Sequence, residues 1–150
     1  MKVDIVLTAV HHVDALYALI DEDRAHLANL IWAKGATRES THHYLAMTAF
    51  DPNQSLHTIY ADGNIAGVIV QRRNVNHSQA ELGYWVGKRY SNKGVATAAV
   101  GLATMMPIVP LTARVRVGNT HSISVLTKNF FREVSDDGEW KTFRKSRRGD

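Results

Sequence analysis

Residues 79–97 read QAELGYWVGKRYSNKGVAT, and the order of conformations they dictate decides the fold. From Gln79 to Gly87 the residues alternate, with Leu82, Tyr84 and Val86 on one face and Glu81, Gly83 and Trp85 on the other, the period of a strand. A turn from Tyr90 to Gly94 follows. From Gly94 to Met106 the period lengthens, and Val95, Ala98, Ala99 and Leu102 share one side of a helix. A strand that turns sharply into a helix leaves free N–H groups at the helix start, where the helix dipole favours an anion. Gly94 permits close backbone approach and Lys93 adds a positive charge, so the spacing points to a phosphate or pyrophosphate. No Gly-Lys-Ser/Thr closes the turn and no Gly-x-Gly-x-x-Gly occurs, so neither a P-loop nor a dinucleotide fingerprint is present.

Upstream, Asp4 to Val10 reads as a first strand. Val13, Leu16, Tyr17 and Ile20 then line one helical face. Leu27, Leu30 and Ile31 suggest a second short helix. Thr37 to Phe50 is a third, with Thr37 as N-cap and Pro52 beyond its end. Ser55–Ala61 and Ile65–Arg72 are strand-like and joined by Asp62-Gly63, a hairpin signal. Asn74–Ser78 is a polar loop. Downstream, Pro107 and Pro110 stop the helix, and Thr112–Val117 is a strand with Ala113, Val115 and Val117 inward. Asn119–Phe131 is a helix. Arg132–Ser135 and Glu139–Lys145 form a hairpin around Asp136-Asp137-Gly138. The strand–helix–strand unit over 79–117 is long enough for a parallel crossover. A mixed α/β sheet in a single domain, residues 1–150, is expected.

The composition agrees with this. At 150 residues, 45% hydrophobic and 21% charged, the chain is of ordinary globular make-up and long enough to bury a core. No apolar run reaches the ~18 residues of a membrane helix, and Asp4 interrupts any leader, so no membrane partner and a cytoplasmic location are expected. The absence of Cys excludes disulfides, thiolate metal sites and cysteine nucleophiles. The net charge of +4 comes from the last ten residues, where Lys141, Arg144, Lys145, Arg147 and Arg148 face only Asp150. A nucleic-acid binder would spread its charge over a folded face, so a basic tail at 141–150 makes nucleic acid an unfavoured partner. The histidine pairs His11-His12 and His42-His43 have neighbours that diverge, so no metal is expected.

Residues 81–97 resemble the acyl-CoA-binding motif of the GNAT superfamily of N-acetyltransferases. The stretch AELGYWVGKRYSNKGVATAAV is similar to the branch containing ribosomal-protein N-terminal acetyltransferases, and NTHSISVLTKNFF resembles the next motif of that family. The resemblance implies the GNAT acyl-CoA N-acyltransferase fold: a central mixed, mostly antiparallel sheet flanked by helices. In it Gln79–Gly87 would lie parallel to Thr112–Val117 and splay at its C-terminal end. It also implies acetyl-CoA as acyl donor, a primary amine as acceptor (a peptide N-terminus or a small molecule), and direct attack in a ternary complex. A homodimer is the commonest association on base rate. The sequence departs from the family at Ser91, where Gln or Arg is usual, and at Asn92 and Phe130, where Gly is common.

Carried over by position, the resemblance assigns Tyr84, Trp85 and Val86 to the pantetheine amides, and Asn92, Lys93, Gly94, Val95, Ala96 and Thr97 to the pyrophosphate. Tyr84 and Trp85 read equally as core aromatics. Transfer needs a neutral amine, so a carboxylate should take its proton. Glu81 is the candidate, as the only acidic residue between Asp62 and Glu133. Partial burial would suit it to that role, and pairing with Arg72, Arg73 or Arg114 is the structural alternative. Many relatives place a tyrosine seven residues after the strand-end Asn to protonate the thiolate; here that position is Leu126. Ser122 matches a serine proposed for the role, or else it occupies the first helical turn. Asn119 would hold cofactor or turn. A CoA-binding module without catalysis, and a nucleic-acid-associated protein using its tail, are the competing functions.

Overall fold

The computed structural model describes residues 1–25, 34–106 and 109–146. The helix expected around Leu27, Leu30 and Ile31, the stop at Pro107 and the end of the basic tail at 147–150 lie outside the described residues. The described elements are β1 (Val3–Leu7), α1 (Val13–Glu22), α2 (Arg38–Phe50), β2 (Gln54–Ala61), β3 (Asn64–Arg73), β4 (Ala80–Val86), α3 (Val95–Ala103), β5 (Leu111–Arg116), α4 (Thr120–Lys128), β6 (Arg132–Asp136) and β7 (Trp140–Lys145). Short 3-10 turns at Val10–His12 and Lys88–Tyr90 precede α1 and follow β4.

Local chemistry accounts for most boundaries. The first strand stops at Leu7, earlier than its pattern suggests, because Val10–His12 coils into the 3-10 turn. There the buried His12 accepts the Ala9 N–H on Nδ1 at 2.9 Å. Burial, and then the neighbouring His11, lower the His12 pKa, which suits a neutral ring accepting a backbone proton. Thr37 caps α2 reciprocally: its Oγ1 accepts the Ser40 N–H at 3.0 Å, and Ser40 Oγ accepts the Thr37 N–H at 2.8 Å. Asp62 and Gly63 both hold positive φ, 49° and 82°, as a tight hairpin turn requires.

The seven strands form one sheet in the order β1-β2-β3-β4-β5-β7-β6. Every neighbouring pair is antiparallel except β4–β5, which is parallel. Helices α1 and α2 cover one face. Leu16, Leu19, Ile20 and Leu45 pack there on Leu56, Val70 and Trp85. Helices α3 and α4 cover the other face, where Val95, Ala99, Val100, Val125 and Leu126 meet Ile59, Ile69, Leu82 and Ala113. The alternation read from β4 thus separates two cores, with Leu82 in one and Trp85 in the other. Leu126 is fully buried and belongs to this core. Two side-chain amides fix α3: the buried Gln71 Nε2 donates to Ala103 O at 2.9 Å, and the half-buried Asn129 Nδ2 donates to Thr97 O at 3.0 Å.

Candidate functional site

Strand β4 pairs with β3 in unbroken register from Arg73↔Ala80 to Gly67↔Val86. With β5 it pairs only at Ala80↔Leu111 and Glu81↔Thr112. Beyond Glu81 the parallel strands separate, and the seam opens toward the C-terminal end of β4. This bend of β4 away from β5 coincides with an irregularity on its other edge. Between Ile59↔Gly67 and Tyr60↔Ile65 the β2–β3 register shifts by one residue, a bulge that sharpens local twist. At the same place Gly67 is pressed against β4: a Cβ there would lie 2.0 Å from Trp85 O.

Backbone directions along the seam follow from two contacts. Ala80 donates its N–H to Pro110 O at 3.0 Å, toward β5. Trp85 O faces Gly67, toward β3. Lateral direction alternates along a strand, so Leu82, Tyr84 and Val86 face β5; the Leu82 N–H closes the last pairing on Thr112, and the Leu82 C=O with the N–H and C=O groups of Tyr84 and Val86 meets the open seam. Trp85 turns its own to β3 and has none to offer there. This separates Trp85 from Tyr84 and Val86 in the expected pantetheine contacts and adds Leu82, whose parity with Tyr84 was readable in the sequence.

The seam leads to the turn before α3. Lys88 donates its N–H to the buried Asp23 Oδ2 at 2.5 Å, and Arg89 pairs with Glu22, so the turn is fastened to the end of α1. Nothing in the sequence pattern had marked Asp23. Asn92 and Gly94 then adopt left-handed backbone, with φ of 58° and 81°. Asn92, Lys93 and Gly94 are exposed, whereas the side chains of Val95 and Ala96 are buried and Thr97 is half-buried. The last three can therefore reach an anion chiefly through their backbone. Gly94 provides no side-chain cap, and the first turn of α3 holds no acidic residue. The first helical bond runs from Ala98 N–H to Gly94 O at 3.0 Å, leaving the N–H groups of Val95, Ala96 and Thr97 without helical acceptors. By contrast α2 is capped by Thr37 and α4 by Asn119, whose Oδ1 accepts the Ser122 N–H at 3.1 Å. Asn119 is thus engaged in its turn.

Glu81 lies where the seam closes, on the α1–α2 face. It is exposed, not half-buried as expected. Among the described residues it forms no ion pair with the three arginines: Arg72 bonds Gln54 and Tyr44, Arg73 bonds Ser55 and Pro52, and Arg114 stacks on Trp140. Ser122 is half-buried on the opposite face of β4 and faces the Tyr84 hydroxyl. That phenol is buried and short of a well-formed hydrogen bond, and burial raises its pKa above the usual range, with the Ser122 contact acting weakly the other way. Sequence reasoning gave Tyr84 a pantetheine contact or a place in the core, and no part for its hydroxyl. A carboxylate and a hydroxyl pair thus flank the seam from its two faces. Among the described residues no cluster of three His, Cys, Asp or Glu is placed to hold a metal, and no helix is long and apolar enough to cross a membrane.

The sequence matches the family described as "Acetyltransferase (GNAT) domain" over residues 4–132. No curated protein matches it. Among solved structures, RimL, a ribosomal L7/L12 alpha-N-protein acetyltransferase in complex with coenzyme A, superposes with a TM-score of 0.87 at 18% identity, covering 100% of this chain and 97% of that one. The microcin C7 self-immunity acetyltransferase MccE, in complex with acetyl-CoA and AMP, gives 0.85 at 16% identity over 97% and 92%. A spermidine N-acetyltransferase SpeG chimera from Vibrio cholerae and hSSAT gives 0.79 at 14% identity over 97% and 96%. At these identities the likeness is one of fold.

Proposed function

The chain belongs to the acetyltransferase (GNAT) domain family, and on that premise we propose that it transfers an acetyl group from acetyl-CoA to a primary amine by direct attack in a ternary complex. The acceptor is a protein N-terminus or a small-molecule amine, the two kinds that the titles of the neighbouring structures describe. The observation that carries this reading is the half-open β4–β5 seam ending at an uncapped helix. The residues fit the donor at both ends. Leu82, Tyr84 and Val86 offer backbone groups for the pantetheine amides. Val95, Ala96 and Thr97 offer N–H groups for the pyrophosphate, with Lys93 alongside. Asn92 and Phe130 both hold positive φ, 58° and 67°, so each takes the backbone conformation glycine would supply. The departures from the family pattern at these sites are therefore no argument for a module that only binds.

In the reaction the amine nitrogen forms a bond to the acetyl carbon while the carbon–sulfur bond breaks. Glu81 takes the amine proton, directly or through water, and Ser122 beside Tyr84 returns a proton to the leaving thiolate. The freedom of Glu81 from arginine supports its role as acceptor of that proton.

The test is a pH–rate profile of the wild type beside Glu81→Gln, with thiol release as readout. Loss of a general base lowers rate by roughly 10²–10⁴. The defect should shrink at high pH, where neutral amine is abundant, and CoA affinity should not change. Overlaying profiles would make Glu81 a structural residue.

A further inference from the structure

A cavity lies on the Glu81 face of the sheet. It measures about 160 Å³ and sits beneath α1 and α2, walled by Leu16, Ile20, Tyr44, Val68 and Trp85, with Thr41 among its lining residues. No lining residue carries a charge. A dry apolar cavity of about 150 Å³ admits benzene, so this volume suits a single ring. One feature marks it as more than a packing gap. Thr41 is 5% exposed, yet its Oγ1 has no hydrogen-bond partner. A buried hydroxyl left unpaired carries a desolvation penalty, so a ligand atom that satisfied it would gain affinity.

The cavity lies on the face of the sheet that carries the proposed base. Glu81, Gly83 and Trp85 follow one another on the same face of β4. Gly83 has no side chain to divide Glu81 from the Trp85 end, and a Cβ there would meet only Val70 Cγ1 at 3.4 Å and Arg72 Nη1 at 3.9 Å. Tyr44 spans the same interval from above: it lines the cavity, and its hydroxyl accepts from Nη2 of Arg72, the register partner of Glu81, at 3.5 Å.

We propose that this cavity receives the substituent of the acceptor amine, and that the substituent is uncharged, ring-sized and provided with one hydrogen-bonding atom for Thr41. The proposal rests on the amine-acetyltransferase reading for the place of the amine at Glu81. The chemistry disfavours polyamines, because nothing acidic in the lining would replace the water lost by a second ammonium group.

The experiment titrates tyrosinamide, phenylalaninamide, glycinamide, spermidine and a peptide beginning with tyrosine into the CoA-saturated protein by calorimetry, with thiol release from acetyl-CoA measured in parallel. Tyrosinamide should bind most tightly, then phenylalaninamide, with glycinamide and spermidine weaker by at least tenfold. The peptide separates a protein N-terminus from a free amine as the source of that chemistry. Gly83→Ala should weaken tyrosinamide by about tenfold, the scale of one methyl group in a fitted apolar site, while CoA titrates as before. Thr41→Val, nearly the same shape, should erase the advantage of tyrosinamide over phenylalaninamide. Glycinamide or spermidine binding as well as tyrosinamide overturns the proposal, as does a ring preference untouched by Gly83→Ala. Ring-selective binding without thiol release defeats the acetyltransferase reading alone; thiol release without ring preference defeats this inference alone.

Discussion

Along its β3 edge, β4 keeps seven residues in register; along its β5 edge it keeps two and then leaves its neighbour. Both edges belong to one strand of seven residues, so propensity does not distinguish them. The difference lies in the partners. On the closed edge Gly67 brings the β3 backbone against Trp85 more closely than any side chain would allow. On the open edge β5 continues straight into its own pairing with β7 over six positions, Leu111↔Lys145 to Arg116↔Trp140. The groups β4 would have shared with β5 are left available. Unpaired main-chain groups inside a fold carry a penalty unless something satisfies them, and those of β4 face one seam that ends at a helix without a side-chain cap. Tightness on one edge thus stands beside unpaired groups on the other.

The largest expected effect comes from disturbing the closed edge. Gly67→Ala places a methyl group against the backbone of β4, where no rotamer can move it away. Overpacking of this kind costs roughly 3 kcal/mol or more. The denaturation midpoint should fall accordingly, and CoA affinity should fall with it as the bend relaxes. Full stability in the variant would detach the bend from Gly67.

The next effect is on the open edge. Gly94→Asp sets a carboxylate at the start of α3 and replaces a residue with φ of 81°. Charge repulsion at a helix N-terminus should weaken CoA by on the order of 1–2 kcal/mol, read by calorimetry, while the closed edge and overall stability change less. The smallest effect is from Tyr84→Phe. It removes a buried hydroxyl that lacks a proper partner and should raise stability by about 1 kcal/mol. CoA affinity should hold, because the contact proposed for Tyr84 with the donor is through its backbone. A loss of affinity would shift the contact to the phenol.

Much of this was legible in the sequence. The period-2 run at 79–87 fixed which β4 residues share a face, and Asp62-Gly63 and Thr37 marked a turn and a cap that formed as read. The parity of Leu82, Tyr84 and Val86 contained the backbone directions as well. Other features were not readable, because they depend on contacts between distant segments. Asp23 fastens the turn after β4 across 65 residues. That Glu81 goes without its register partner follows from Arg72 turning to Gln54 and Tyr44. The β2–β3 bulge, by contrast, did carry a signal: Gly67 stands alone inside a strand pattern, where a glycine marks a bulge or a close backbone approach. Phe130 shows the reverse case: a family pattern calling for glycine anticipated the positive φ that the chain adopts there with a different residue.

Amide hydrogen exchange at β4, with and without saturating CoA, tests the central claim most directly. In the free protein the N–H groups of Gly83 and Trp85, directed at β3, should exchange slowly, and those of Tyr84 and Val86, directed at the seam, rapidly. CoA should slow Tyr84 and Val86 and leave Gly83 and Trp85 nearly unchanged. Uniformly slow exchange in the free strand, or protection on binding that ignores this alternation, would contradict the assignment of the open edge as the donor site.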